Sequence, residues 1–198
     1  MLIDETQTAN SVLPIEAFKA HLCLGRGFDE VSLQDEMLVH YVRAAIAAVE
    51  VRSAKILLER RFTYRHRKWS QDSFYTLPVA PLRLLESLYL VDCSGVRRLL
   101  PMESYRIEAG LHNTRLYAVQ GDLPPIPRDG AAEVAFRAGY GKSWSQIPSD
   151  LAQATFLLAA HFYEYRHEVT LTSGCMPFGV TSLLERYRPM RLGAGGRS

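Results

Sequence analysis

The sequence predicts an α+β fold, in which a small antiparallel β-sheet subdomain is inserted into a small helical bundle. Apolar residues recur every three or four positions over 32–59 and again after Pro148, which is typical of packed helices. Between these stretches, short runs rich in Tyr, Phe, Val and Leu alternate with turn formers, as strands do. The 198 residues, 47% of them hydrophobic, suit one compact domain. We therefore predict a single domain over 1–198, with 61–138 as the inserted β subdomain and 189–198 as a flexible tail.

Capping residues and apolar spacing predict four helices. A short first helix opens at Pro14, and a long second helix, about 32–59, opens on Ser32 with an acidic residue three positions later. The third helix covers about 148–168 and the C-terminal helix about 180–188. The exposed face of the long helix is expected to carry His40, Arg43, Glu50 and Lys55.

The third helix is apolar on two sides. Leu151, Leu158 and Tyr165 belong to one stripe, while Phe156 and Tyr163 lie on the other. A helix of this kind is buried on both sides. In a domain this small, we expect part of that surface to meet a second copy of the chain.

The middle of the chain predicts a sheet of five or six strands. Residues 84–91 and 96–100 flank the turn formers Asp92-Cys93-Ser94-Gly95 and predict an antiparallel hairpin. The last strand is expected over 132–138. Pro124-Pro125-Ile126-Pro127 cannot donate in a sheet interior and predicts an extended loop.

Charge and cysteine usage narrow the class of protein. Twenty-three Lys and Arg against twenty-one Asp and Glu leave a net charge of +2, so any contact with nucleic acid has to be local. Cys23, Cys93 and Cys175 are odd in number and far apart, which suits reduced thiols in the cytoplasm. The acidic start does not resemble a signal peptide, and no apolar run approaches the ~20 residues of a membrane span. These features predict a soluble protein with no membrane partner.

The motifs for catalysis and metal binding are incomplete. Gly139-Tyr140-Gly141-Lys142-Ser143 ends like a phosphate-binding loop, but Phe136 stands where that loop requires its first glycine. His161, Glu164 and His167 have the spacing of a di-iron half-site without the second half. His21 and Cys23 lack a second pair of ligands for zinc. The sequence therefore predicts a protein that is not an enzyme and carries no cofactor or metal.

Although the chain as a whole is nearly neutral, residues 60–68 contain a cluster of five cations and no acidic residue. On a strand, alternation would send Arg61, Arg65 and Arg67 to one face. Such a row could contact DNA phosphates without reading bases, or it could pair with acids of its own or a neighbouring subunit. Both interpretations apply to the whole cluster, namely Arg60, Arg61, Arg65, Arg67 and Lys68.

In the order of its segments, the chain resembles the head-tail connector proteins (adaptor, or head-completion) of tailed bacteriophages and gene transfer agents. No single segment is diagnostic, but their order and spacing cover most of the chain. The segments are Ile15 to Leu22, the long helix to Glu59, Leu77-Pro78 with Pro81-Leu82, Ser87 to Asp92, Tyr105-Arg106-Ile107, Val134 to Gly141, Ile147 to Ala154, His161 to Arg166 and Pro177 to Arg188.

The resemblance implies a structural component of the particle, assembled in the bacterial cytoplasm. It implies a ring of twelve copies that joins the portal protein of the capsid to a stopper or tail protein and surrounds the DNA channel. The cation cluster would then face that channel or a subunit interface. The C-terminal part would reach the portal through Phe178, Val180, Leu183, Leu184, Tyr187, Arg188 and Arg191.

Two alternatives remain open from the sequence. One is a tail-completion or tail-terminator protein, which forms a ring of different symmetry. The other is a non-enzymatic DNA-binding module centred on residues 60–68.

Overall fold

The computed structural model describes residues 1–24, 31–69, 73–110, 113–166 and 176–188. Within these residues the chain forms four α-helices and eight strands. The helices are α1 (Ile15–His21), α2 (Val31–Ser53), α3 (Ser149–Glu164) and α4 (Phe178–Leu184). The strands are β1 (Leu2–Asp4), β2 (Arg60–His66), β3 (Phe74–Thr76), β4 (Leu82–Val91), β5 (Arg97–Leu99), β6 (Tyr105–Ala109), β7 (Thr114–Ala118) and β8 (Ala131–Ala138). No described helix has the length and hydropathy to cross a membrane.

The strands form two antiparallel sheets, whereas the sequence predicted one. The larger sheet has the order β1-β2-β8-β4-β5, and the smaller has the order β3-β7-β6. The hairpin of β4 and β5 and the last strand β8 confirm the predicted elements. Strand β1 was not predicted. Three residues are too short for a periodic signal, and β1 is held by pairing with β2 some sixty positions later, as in Leu2 opposite Tyr64.

Helix α2 ends earlier than predicted, at Ser53 instead of near Glu59. Ala54 has a φ of 55°, a left-handed conformation that ends the helix. Lys55 then forms an isolated parallel bridge with Ala80, and the Ile56 N–H donates to the Ala80 carbonyl at 2.8 Å. Ile56 lies beyond the helix but is buried and apolar, so it continues the apolar spacing of the helix in the sequence. The sequence pattern therefore does not show where the helix ends.

The buried face of α2 is the one its apolar spacing predicts. Leu38, Val42 and Val49 are completely buried and pack against α3 and α4 in the helical core. Two of the four residues expected on the exposed face are buried instead: Glu50 is 9% exposed and Lys55 only 1%. That expectation was wrong for them because Glu50 pairs with Arg60 of β2, and Lys55 lies past the end of α2, in a bridge with Ala80.

A second core lies between the two sheets. Its largest completely buried side chains include Phe136, Leu88 and Leu116, from β8, β4 and β7. The fold is therefore α+β with a helical core and a sheet core side by side. Six residues separate the end of α2 at Ser53 from the start of β2 at Arg60, where the cation cluster begins.

Candidate partner and DNA-contact surfaces

The cation cluster lies on β2 and just after it, with the alternation that the sequence predicts. Arg61 and Arg65 are exposed on the outer face of the larger sheet, while Phe62 is buried on the inner face. Arg67 and Lys68 follow the strand and are exposed too. All four side chains are exposed, as contact with a partner requires. They differ in whether they already form ion pairs within the chain.

Arg60 is engaged inside the protein. Its guanidinium donates to Asp4 of β1 at 2.7 Å and forms a very short ion pair with the buried Glu50 of α2. The Leu57 N–H donates to the other oxygen of Glu50 at 2.8 Å. Burial raises the pKa of Glu50, and the charge of Arg60 opposes that rise. Arg60 thus ties the helical unit to the sheet and is not available to DNA.

Arg61 belongs to a network of ion pairs on the outer face of the sheet. It lies 2.7 Å from both Glu5 and Glu86, and Arg137 lies 2.8 Å from the other oxygen of Glu86. Hydrogen bonds from Arg137 and then Arg61 lower the pKa of Glu86. In return, the hydrogen bond to Glu86 raises the pKa of Arg61. This part of the row fits the interpretation of a sheet face that pairs with its own acids.

The remaining cations form no ion pair within the part of the chain that the structure describes. They are Arg65, Arg67 and Lys68, at the end of β2. The terminal ammonium of Met1 lies at the same end and donates to the Arg65 carbonyl at 2.5 Å. Of the predicted DNA-contact residues, these three are the ones that the structure leaves available to phosphates.

His66 sits on the inner side of the same end, among aromatic rings. Its ring stacks on Tyr75 with centroids 4.0 Å apart, and Trp69 packs edge-on against it. Neither ring nitrogen has a hydrogen-bond partner among the described residues. Burial lowers the pKa of His66 to about 4, helped by the nearby terminal ammonium. His66 is therefore an uncharged part of the sheet core and does not extend the cation row.

The residues predicted to contact the portal divide by burial. Val180, Leu184 and Tyr187 are buried in the helical core, so within this fold they hold α4 in place. The exposed members are Phe178, at 88%, and Arg188, and Leu183 is half-buried. Arg191 lies outside the described residues.

Asp150, at the start of α3, anchors the end of this segment. The Tyr187 hydroxyl lies 2.8 Å from both oxygens of the Asp150 carboxylate, and Arg186 pairs with it at 3.2 Å. Burial and this carboxylate raise the pKa of Tyr187. Phe178 is thus an exposed aromatic ring on a segment that is held by the buried Val180 and Leu184 and by the contact of Tyr187 with Asp150.

Helix α3 is apolar on two sides, and both are largely covered by other parts of the same chain. Between Leu151 and Tyr163, all of which the structure describes, Gln153 is the single exposed residue. Phe156 stacks on Trp144 and on Phe18, with centroid distances of 5.4 and 5.8 Å. The surface that we expected α3 to offer to a second copy is consequently small.

Among the described residues, no three His, Cys, Asp or Glu side chains are arranged so that they could hold a metal ion. His161 and Glu164 line a surface cavity together with His21, and His167 lies outside the described ranges. Gly139 has a φ of 140°, and a side chain there would collide with the backbone of Glu59, so this glycine serves the turn after β8.

Comparison with known proteins gives matches among solved structures. A chain from the neck of an empty gene transfer agent (GTA) particle, computed with C6 symmetry, matches with a TM-score of 0.88 and 43% identity. A chain from the virion of a native GTA particle matches at 0.86 and 42%, and one from the neck of a native GTA particle, computed with C12 symmetry, at 0.83 and 40%. All three matches cover 100% of both chains.

This chain belongs to the GTA neck proteins. It is a structural component of the particle neck, at the junction of head and tail, and the predicted resemblance to phage and GTA neck components is confirmed. No family model and no curated protein matches the chain.

Sequence reasoning missed the carboxylates that engage Arg60 and Arg61 in this GTA neck protein. Asp4 and Glu5 lie 56 positions before their arginines, Glu50 lies 10 positions before Arg60 and Glu86 lies 25 positions after Arg61, and no local pattern links these acids to the cluster. An acidic pair at the very start, Asp4-Glu5, was the one visible signal.

Proposed function

We propose that this GTA neck protein is the adaptor subunit of the particle. Twelve copies form a ring beneath the portal vertex, carry the stopper or tail component, and surround the channel through which DNA passes. The protein makes and breaks no bond in this role. The observation that carries the proposal is the match, over the whole length of both chains, to a chain in a GTA neck computed with C12 symmetry.

The two symmetries of the matching necks are compatible with a ring of twelve. Such a ring also obeys six-fold symmetry, because rotation by two subunits is one of its operations. A ring of six does not obey twelve-fold symmetry. The matches to chains in a C6 and a C12 reconstruction therefore favour the adaptor over a six-membered tail-terminator ring.

The experiment is electron cryo-microscopy of necks from purified particles, reconstructed without imposed symmetry. We expect twelve copies of this chain next to the portal. Six copies on the tail side would contradict the adaptor and support the tail-terminator. Deletion of the gene should leave DNA-filled heads without tails, and normal tail attachment would also contradict the proposal.

For the portal contact, the exposed residues of the C-terminal segment are the best-supported surface. Phe178 and Arg188 point out of the helical core, and Phe178 is one of the most exposed large apolar residues in the described chain. Phe178→Ser should reduce the number of copies bound to portal-containing heads severalfold. Val96→Ser is the matched control, since Val96 is an exposed apolar residue (64%) in the turn between β4 and β5.

The DNA-binding module is less well supported, because Arg60 and Arg61 are held by carboxylates of the same chain. Contact with DNA in the channel would rest on Arg65, Arg67 and Lys68 and be repeated around the ring. We expect the isolated subunit to bind duplex DNA weakly at physiological salt. Tight binding with a steep salt dependence would instead support a DNA-binding module.

A further inference from the structure

The face of α2 that points away from the helical core is apolar as well. At 100° per residue, five residues of this helix fall within a sector of about 80°, roughly opposite the core residues Leu38, Val42 and Val49. None of the five is Asp, Glu, Lys or Arg, and we call this surface the outer stripe. It consists of Met37, His40, Ala44, Ala47 and Val51.

All five side chains of the outer stripe are exposed. Met37 is 36% exposed and Val51 85%, which makes Val51 one of the most exposed large apolar residues among those described. From Met37 to Val51 the stripe runs about 21 Å along the helix. An isolated exposed valine would need no explanation, but a stripe of four helical turns without Asp, Glu, Lys or Arg does.

The other sides of α2 already have partners. Arg43 donates to the Thr8 carbonyl and to the Asn10 side chain, at 2.6 Å each, so the N-terminal segment covers that flank. Tyr41, on the opposite flank, packs edge-on against Tyr163 of α3 with centroids 6.0 Å apart. Within the described residues, the outer stripe is therefore the sector of α2 that nothing covers.

The chemistry of the stripe argues against DNA and in favour of a protein surface. Contact with phosphates requires cations, and the stripe has no Lys or Arg. Ala44 and Ala47 in its centre allow close approach of another backbone, while Met37 and Val51 project at its ends. A helix with apolar residues on two opposite faces is stable in an assembly that buries both.

We propose that the outer stripe of α2 is covered by a second copy of this chain, the neighbour in the ring. This inference rests on the adaptor function proposed above. In a cyclic ring every subunit contacts two neighbours through two different surfaces, so each copy needs an apolar flank that is open in the isolated chain. The chain that matches this one over its full length in a C12 neck is the observation that names the occupant.

Photocrosslinking in assembled particles tests the contact. A photoreactive benzoyl-phenylalanine replaces Val51 in the full chain, and the same residue replaces Val96 as a control of like size and high exposure. After irradiation we expect the Val51 variant to give a covalent dimer of twice 22.4 kDa, identified by mass spectrometry as two copies of this chain. The Val96 variant should give at least tenfold less of it. A crosslink to another neck protein, equal dimer from both variants, or no crosslink in particles that contain the Val51 variant would overturn the inference.

A second pair of variants measures the same surface without a crosslinker. Ala44→Glu places a charge in the stripe, whereas Ala44→Ser keeps the size and adds no charge. Because Ala44 is exposed, both isolated variants should keep the circular dichroism spectrum of the parent. We expect Ala44→Glu to reduce the copies per neck at least tenfold and Ala44→Ser to leave them near the parent number. Normal incorporation of Ala44→Glu would overturn the inference.

The two proposals can fail separately. If the parent chain forms no ring of twelve beside the portal, the adaptor proposal fails. If it forms that ring but Val51 crosslinks elsewhere, this inference alone fails.

Discussion

Arg60 and Arg61 at the start of β2 are ion-paired with four carboxylates, whereas Arg65, Arg67 and Lys68 at its end have no ion pair among the described residues. The two groups are separated by three residues and look alike in sequence. Their environments differ because the start of β2 lies beside α2, β1 and the Glu86 of β4, while its end lies at the rim of the sheet. A cluster of cations is thus a poor measure of the charge that a protein offers to a partner.

The largest effect on stability should come from the start of β2, where Arg60 and Arg61 are ion-paired. Glu50→Ala leaves Arg60 half-buried without its closest carboxylate and removes the acceptor of the Leu57 N–H. We expect the free energy of unfolding to fall by about 3 kcal/mol, since breaking a buried ion pair leaves an uncompensated charge. Urea denaturation measures this, and Glu36→Ala, at an exposed position of the same helix, is the control. A loss below about 1 kcal/mol would mean that Arg60 is not fixed by α2.

The end of β2 that carries Arg65, Arg67 and Lys68, the available end, should dominate binding to polyanions. Replacing Arg65, Arg67 and Lys68 together by Ala removes the cations without an ion pair, so binding to heparin or duplex DNA at low salt should weaken about tenfold, equal to about 1.4 kcal/mol. The slope of log K against log salt should become shallower by up to about 3. Arg61→Ala removes a cation of the same cluster that is already ion-paired, so it should change each quantity much less. Equal losses from both variants would remove the distinction between the two ends.

The inner face at the available end should respond to pH. The His66 pKa of about 4 lies below the 6.5 of an unfolded chain, so the unfolded state binds the proton first and stability falls as the pH falls from 6.5 to 4. His66→Phe keeps the stack on Tyr75 and removes two nitrogens without partners. It should stabilise the protein by about 1 kcal/mol at pH 7. The gain should grow toward pH 5, measured as melting temperature against pH. A gain that does not change between these pH values would contradict the lowered pKa.

The smallest effect should come from the exposed network around Arg61. The pKa of Glu86 is lowered, so its stabilisation is present above the unfolded value of about 4.5 and is lost as the pH falls below it. Glu86→Gln should therefore cost about 0.5 kcal/mol at pH 7 and nothing measurable at pH 3. High salt should reduce the cost at pH 7, because the network is exposed. A cost that persists at pH 3 would indicate packing instead of charge.

Local patterns in the sequence account for most of the elements. The Asp92-Cys93-Ser94-Gly95 turn predicts the hairpin of β4 and β5, and the apolar spacing of α2 predicts the buried face around Val42 and Val49. These features could be predicted because neighbours in the chain create them through turn geometry and helical periodicity. The order of the same segments also predicts a head-tail connector of a phage or GTA particle, and the matches to solved structures confirm the coarser part of that prediction, a component of the GTA neck.

Tertiary structure alone decided which side chains are available. The burial of Glu50 and Lys55, the pairing of β1 with β2, and the end of α2 at Ser53 all depend on contacts between distant segments. A side chain has the same residue type whether or not a carboxylate from elsewhere in the chain lies 2.7 Å away, as Asp4 does from Arg60. The sequence by itself determined where the cations are and which helices and strands carry them. The tertiary fold decided which of them are free, because ion pairing depends on distance in space and not on separation along the chain.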